Sequence, residues 1–246
     1  MDNSLSLPEM QSKIKNFFRI SSWGSVLCIG GEVLNLLTII TENEDLAGIG
    51  WFLLLAGLLV WGVGMICAGT VLCNTGHKET GVRTAGGALI FWALAAFIYG
   101  MVSDGEPDFS DMSYYIWQLI ILIGPGVFYV YLRREEDDEK FLDMAGFGIG
   151  MVATVELVML AIWAVLYNIF NIDAFDDLQY WLEDNLRTIL IILVSAQILG
   201  FVLAFGNMCN NKEFVEEIEE SDMEEEDRRL MKKLLKEYKE KNEAED

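Results

Sequence analysis

The chain has 246 residues, of which 53% are hydrophobic, and a formal net charge of −21. Its mean hydropathy is positive despite that charge. The apolar residues form long stretches, and most charged residues lie in the gaps between them. This composition excludes an ordinary soluble globular domain and favours a protein whose main partner is the lipid bilayer. We expect no nucleic-acid partner.

Six hydrophobic stretches are long enough to cross about 30 Å of hydrocarbon as helices. A backbone in lipid must satisfy its polar groups within the span, and glycine-rich runs such as 62–69 make poor strands, so each stretch predicts a helix. The fold class is therefore all-α, a polytopic membrane protein with six transmembrane helices. The predicted spans are Ile20–Thr41, Gly48–Cys73, Arg83–Ser103, Met112–Leu132, Met144–Phe170 and Leu186–Met208.

Positive charge alternates between the segments that separate these spans. Counted with the adjoining span ends, sixteen of the 17 Lys and Arg residues belong to every second segment, whereas the other segments hold twelve acidic residues and one base, Arg187. Because basic residues near span ends mark the cytoplasmic side, both termini are predicted to be cytoplasmic. The chain has no Asn-x-Ser/Thr sequon, which favours the inner membrane of a prokaryotic cell as the location.

The amino-terminal segment, residues 1–19, has an apolar helical face and three bases, which predict a cytoplasmic amphipathic element. This element is either a helix lying on the membrane surface or a direct extension of the first span. The apolar face consists of Met10, Ile14, Phe17 and Phe18.

Two other segments outside the spans have a helical character. Residues 171–185 combine acids with apolar side chains and predict a short interfacial helix. The tail, residues 210–246, carries acids first and bases afterwards, a distribution that stabilises a helix. Its part from 213 to 246 is interpreted either as a cytoplasmic helix that binds a protein partner or as a solvated tail.

Polar side chains lie at similar depth in three of the predicted spans. Glu32 is the thirteenth residue of the first span and Glu156 the thirteenth of the fifth, and both spans run in the same direction. Gln197 is in the middle of the sixth span, and Asn35 shares a helical face with Glu32. No Lys or Arg lies at that depth, and burial favours the neutral form of a carboxyl.

The fourth span contains Pro125 between two glycines, near its own centre. Proline removes a backbone hydrogen bond from a helix and often bends it. A helix kink is therefore predicted at Pro125.

Two classes of function fit this pattern. In the first, the protein is a carrier or ion channel for a small cation or a proton-coupled solute, and the four polar side chains bind or relay the cation. In the second, it is a non-enzymatic, membrane-anchored interaction protein, such as an assembly factor, an immunity protein or a defence effector. It would then act through its tail, and the polar side chains would only join helices by hydrogen bonds. Transport is the leading hypothesis, because carboxyls within a membrane usually face a cavity or the bundle interior.

Signals for catalysis are nearly absent. The chain contains no HExxH, GxSxG or P-loop signature, so we expect no enzyme activity and no cofactor. The only histidine, His77, lies near Cys73 and at the same predicted face as Cys209, but the spacing matches no standard zinc pattern. No metal site is predicted.

Small residues are frequent where helices could approach closely. This pattern favours packing within one chain first, and a homo-oligomer through the same faces second. The residues are Gly57, Gly62, Gly64, Ala68 and Gly69 of the second span, Gly86 and Gly87 of the third, and the Gly146–Gly150 pair of the fifth.

Overall fold

Six helices make up the described part of the chain, and this part contains no strand. The computed structural model describes residues 7–74, 80–103, 111–133, 140–169 and 176–209. All six helices are long and apolar enough to cross a membrane, which confirms the predicted number of spans and the all-α class. They are α1 (Leu7–Thr41), α2 (Glu44–Asn74), α3 (Thr80–Val102), α4 (Met112–Arg133), α5 (Lys140–Ala164, followed by a π-helical turn at Val165–Ile169) and α6 (Asp176–Cys209). The chain divides into two units, 1–209 and 210–246, and the predictions for the tail lie outside the described residues.

Two helices begin ten or more residues before the predicted spans. α1 is unbroken from Leu7 to Thr41, so the residues before the first predicted span continue that helix. α6 begins at Asp176, so the described part of the predicted interfacial segment forms the first turns of α6. The α6 extension contains no Gly or Pro, and the α1 extension contains only Pro8, in the first turn, where proline does not end a helix. Met10, Ile14 and Phe18 on the α1 extension are buried, so this face packs against other parts of the protein.

The helices form a ring in chain order. Each packs mainly on its neighbours in sequence, and α6 returns to α1. Successive helices are antiparallel, as in α1 and α2, where Gly24 lies beside Gly57 and Gly31 beside Gly50. We call the face with the beginning of α1 and the end of α6 the terminal face. The face with the turn between α1 and α2 is called the turn face.

The contact between α1 and α2 is a seam of glycines that recur every seven residues. It contains Gly24 and Gly31 of α1 together with Gly50, Gly57 and Gly64 of α2. A Cβ atom on Gly24 would lie 2.7 Å from the Gly57 carbonyl oxygen, and one on Gly31 would lie 2.6 Å from the Gly50 carbonyl oxygen. Because these neighbours are backbone atoms, only glycine permits this separation of the two helices.

The other predicted packing glycines differ in their surroundings. Gly62, Gly69 and Gly86 face a neighbouring helix, whereas a side chain at Gly87 would point into open space. Gly150 packs under the ring of Tyr129 within the same chain.

A cluster of four aromatic side chains fills the centre of the ring. Its members are Trp61 of α2, Trp92 of α3, Phe128 of α4 and Phe201 of α6, and we call it the aromatic cluster. The ring centroids of Trp61 and Phe128 are 5.8 Å apart, and Phe201 lies 6.4 Å from both Trp61 and Trp92. Trp61, Phe128 and Phe201 have no exposed surface. Phe201 follows Gln197 by about one helical turn in the direction of the terminal face, so the cluster lies on the terminal side of Gln197.

The one base in the acidic segments connects α6 to the end of α1. Arg187 donates a hydrogen bond from Nη2 to the Ile40 carbonyl oxygen at 2.6 Å, and its Nη1 lies 2.9 Å from Oε1 of Glu42. The last carbonyls of a helix lack partners inside the helix, and Glu42 turns the chain away from α1 with a φ of 57°. Arg187, the exception in the charge pattern, therefore caps α1.

Candidate ion-binding site between the helices

Glu32 and Asn35 form the α1 part of the site. They are three residues apart, so their side chains share one face of the helix. Asn35 donates from Nδ2 to Oε2 of Glu32 at 3.3 Å. Glu32 lies directly after Gly31 of the glycine seam and is only 3% exposed. The close approach of α1 and α2 therefore leaves this carboxyl almost no access to solvent or lipid.

Glu156 and Gln197 form the second part, between α5 and α6. Gln197 donates from Nε2 to Oε1 of Glu156 at 2.6 Å. Gly148 and Gly200 lie beside each other in the same contact, which brings the two backbones close enough for a direct side-chain bond. Gln197 is 2% exposed, whereas Glu156 is only partly buried.

The structure brings the two pairs together at one depth. Glu156 lies within electrostatic range of Glu32, although the two residues come from helices that are distant in sequence. All four predicted polar residues belong to this arrangement, which we call the carboxyl pair with its two amides.

Pro125 is a separate feature of α4. It lies inside a helix that continues from Met112 to Arg133, and it lines neither of the cavities described below. The adjacent Gly124 packs against the backbone and Cβ of α3, near Ala88 and Trp92. The Gly-Pro sequence thus lies at the contact between α3 and α4, and the predicted kink remains a prediction.

Glu156 lines a cavity of about 260 Å³ among α2, α3, α4 and α5, which we call the deep cavity. Its other polar lining residues include Gln118, Tyr99 and Tyr114. Aromatic side chains supply much of the wall: Trp51, Trp92, Tyr99, Tyr114 and Trp163.

A second cavity of about 500 Å³ lies nearer the turn face, and we call it the entrance cavity. It is lined by Gly48 at the beginning of α2 and by Ser103 just after α3. It shares Trp51, Tyr99, Tyr114 and Gln118 with the deep cavity. The two cavities are therefore neighbours, with these four side chains between them, and they follow one another from the turn face towards Glu156.

Although its Trp92 also lines the deep cavity, the aromatic cluster otherwise lies on the terminal side of Gln197. Its Trp61 has a buried indole Nε1 with no hydrogen-bond partner among the described residues. An unsatisfied buried donor costs about 1–3 kcal/mol, and the edge-to-face contact with Phe128 recovers part of such a cost.

The cavity-lining residues were not predicted from the sequence. Trp51, Tyr99 and Tyr114 lie near the ends of their helices, where aromatic residues are typical of a membrane interface, so their positions alone do not single them out. Trp163 lies seven residues after Glu156, and that spacing places both on one face of α5. Gln118, a polar residue within the fourth span, was a further available signal.

A metal centre is not found in the part of the chain that the structure describes. No group of three or more His, Cys, Asp or Glu residues there is arranged to hold a metal ion. His77 lies outside the described residues. Comparisons with protein-family models, with curated proteins and with solved structures find no match for this chain.

Proposed function

We propose that the protein is an integral membrane carrier or channel for a small cation or a proton-coupled solute, with Glu32 and Glu156 at its centre. The observation that supports this most directly is that Glu156 lines the deep cavity, next to which the entrance cavity lies nearer the turn face. A carboxyl inside a membrane is costly, and such residues commonly mark ion pathways. No Lys or Arg within the helices lies at this depth to neutralise the pair.

The exposure of Glu156 distinguishes this proposal from a purely structural role. A carboxyl that serves only to join two helices by a hydrogen bond, worth roughly 0.6 kcal/mol, needs no cavity beside it. Gln197 holds one oxygen of Glu156 at 2.6 Å, and the carboxyl still borders an open space. This geometry suits a group that exchanges a proton for a cation.

The aromatic cluster favours a carrier over a permanently open pore. The two described cavities lie between Glu156 and the turn face, and Trp61, Phe128 and Phe201 fill the core on the opposite side. A cation that reaches Glu156 can therefore continue only after these side chains move. Such a movement corresponds to alternating access, in which the site opens to one face at a time.

The positive-inside pattern gives this carrier a direction. Basic residues belong to the terminal face and acidic residues to the turn face, so we assign the terminal face and both chain ends to the cytoplasm. The cavities then open to the outside of a prokaryotic inner membrane. Acidic residues near the opening raise the local concentration of cations.

A flux assay with the full-length protein in liposomes tests the proposal. A cation gradient is imposed, and proton movement is followed with a pH-sensitive dye inside the vesicles. We expect Glu156→Gln to abolish coupled flux, because the neutral amide cannot exchange a proton, and Glu32→Gln to reduce it. Glu44→Gln is the matched control, since Glu44 is an exposed carboxyl at the beginning of α2.

The result that would overturn the proposal is equally specific. If Glu32→Gln and Glu156→Gln both carry flux at the rate of the unmodified protein, these carboxyls have no part in transport. Gel-filtration profiles identical to the unmodified protein establish that a variant without flux is still folded.

A further inference from the structure

The deep cavity combines one carboxyl with an unusually aromatic wall. Five aromatic residues from four helices line it, and Glu156 and Gln118 are its other hydrogen-bonding side chains. The face of an aromatic ring carries partial negative charge and attracts cations within about 6 Å of its centre. Aromatic cages of this kind recognise quaternary ammonium groups.

Contacts with one another and with residues outside the deep cavity hold these rings in place. Trp51 stacks on Phe97 with ring centroids 6.4 Å apart, and its ring also packs over Gly100. Tyr99 and Tyr114 contact each other at 6.1 Å. A wall whose rings are fixed before binding loses little side-chain entropy when a ligand arrives.

The same lining is a poor environment for a metal ion. Ca²⁺ takes six to eight oxygen ligands, and Mg²⁺ requires six in an octahedron. The deep cavity offers one carboxyl, one carboxamide and two phenol groups, and the described residues contain no metal-holding group of His, Cys, Asp or Glu. A weakly hydrated cation with apolar substituents loses less on leaving water, and it gains contact with the rings.

We propose that the deep cavity is a binding site for a small organic ammonium cation, held between the aromatic wall and the carboxylate of Glu156. This inference rests on the proposed function, because it names the substrate class of the same site. The volume of about 260 Å³ is just below the range of pockets for drug-sized ligands, so the cation is small, of the size of tetramethylammonium or choline.

Binding is an exchange of one positive charge for another. The ammonium cation enters as the Glu156 carboxyl releases its proton, and the cation then pairs with the resulting carboxylate. One proton leaves for each cation bound, so the net charge of the site is unchanged. Gln197, which donates to Glu156 at 2.6 Å, holds the carboxylate in position during the exchange.

Calorimetric titration of the full-length protein in lipid nanodiscs with tetramethylammonium chloride tests this site. We expect saturable binding, with sodium chloride giving none at the same concentration. Trp51→Leu and Trp163→Leu should each weaken binding by roughly 3-fold to 30-fold, the range that corresponds to one cation–π contact. Trp23→Leu is the matched control, because Trp23 is 64% exposed on α1 and lines neither cavity.

The proton exchange has its own measurement. Titrations in two buffers of different ionisation enthalpy should show one proton released per bound cation, and Glu156→Gln should abolish this release. If the carboxamide variant binds the cation as tightly as the unmodified protein, Glu156 is not the counter-ion and the proposal is overturned.

A neutral molecule of the same shape as the cation tests the proposal without any substitution in the protein. Choline and 3,3-dimethylbutan-1-ol have nearly the same shape, but only choline is charged. Equal affinities for the two would identify an apolar pocket and overturn the ammonium site.

The outcomes also separate this inference from the proposed function. If flux depends on Glu156 but neither tetramethylammonium nor choline binds, the proposed carrier function stands and the ammonium site is overturned. Binding with the expected variant pattern but no flux would support the site and count against the carrier.

Discussion

The two carboxyls at the centre of the bundle lie in opposite kinds of helix packing. Glu32 follows Gly31 in a seam where the backbones of α1 and α2 touch, and it is 3% exposed. Glu156 borders the deep cavity, where large aromatic side chains keep the helices apart. Side-chain size on the neighbouring helices, rather than depth in the membrane, decides which carboxyl a ligand can reach.

This difference suggests a division of labour between two identical side chains. Glu156 lines the deep cavity, so in the proposed carrier it is the carboxyl that the cation meets. Glu32 is almost completely buried and accepts a hydrogen bond from Asn35, so in the same proposal its part is indirect.

The glycine seam gives the largest expected effect on stability. Gly31→Ala would place a Cβ atom 2.6 Å from the Gly50 carbonyl oxygen and 2.9 Å from the Leu54 nitrogen. Backbone atoms cannot turn aside as a flexible side chain does, so the helices must separate. We expect a loss of about 1–3 kcal/mol, measured as a lower midpoint of thermal unfolding in detergent micelles.

The adjacent residue provides the control for this substitution. Nothing lies within 4 Å of a Cβ atom at Gly30, and alanine is favoured over glycine in a helix by roughly 0.5–1 kcal/mol. Gly30→Ala should therefore leave the midpoint unchanged or raise it. Equal losses at the two positions would contradict the difference in packing between the seam and its surroundings.

The number of spans follows from the sequence because hydropathy and helix length leave little choice in a bilayer. The depth of Glu32 and Glu156 follows in the same way, from counting residues along each span. The continuous α1 and α6 were less accessible to sequence reasoning. Their polar extensions differ in composition from the apolar spans, although no Gly or Pro separates the two parts.

The cavity could not be predicted from the sequence, because the depth of a residue in the membrane does not show which way its side chain points around the helix axis. Trp51 and Tyr99 lie near one end of their helices, but that position does not show whether a ring faces lipid or another helix. The order of helices around the ring decides this, and α6 reaches α1 only through tertiary contacts. The pairing of Glu156 with Gln197 depends on the same arrangement.

Chemical labelling compares the access of the two carboxyls directly. Diisopropylcarbodiimide is small and uncharged, and it adds to protonated carboxyls. We expect Glu156 to be modified faster than Glu32, because only Glu156 borders the cavities. Mass spectrometry of the two peptides over time measures both rates in one sample.

Two further samples test the interpretation of this labelling. Tetramethylammonium should slow the modification of Glu156 by occupying the deep cavity. Glu156→Gln should remove the fast reaction and leave the slow one. Modification of Glu32 at the same rate as Glu156 in the unmodified protein would show that the seam does not seal its carboxyl.

The smallest expected effect concerns Arg187, which joins α6 to the end of α1. Its side chain is 55% exposed and that of Glu42 is 76% exposed, so solvent screens their ion pair, and exposed pairs contribute roughly 0–1 kcal/mol. The hydrogen bond to the Ile40 carbonyl at 2.6 Å satisfies a helix end and depends less on salt.

We expect Arg187→Ala to lower the midpoint of thermal unfolding more than Glu42→Gln does, since the second change removes the ion pair alone. Raising the salt concentration should narrow the gap between the unmodified protein and Glu42→Gln, while the further loss in Arg187→Ala persists. If the two variants unfold at the same temperature at every salt concentration, the cap on α1 contributes nothing, and the glycine seam alone positions α1 within the ring.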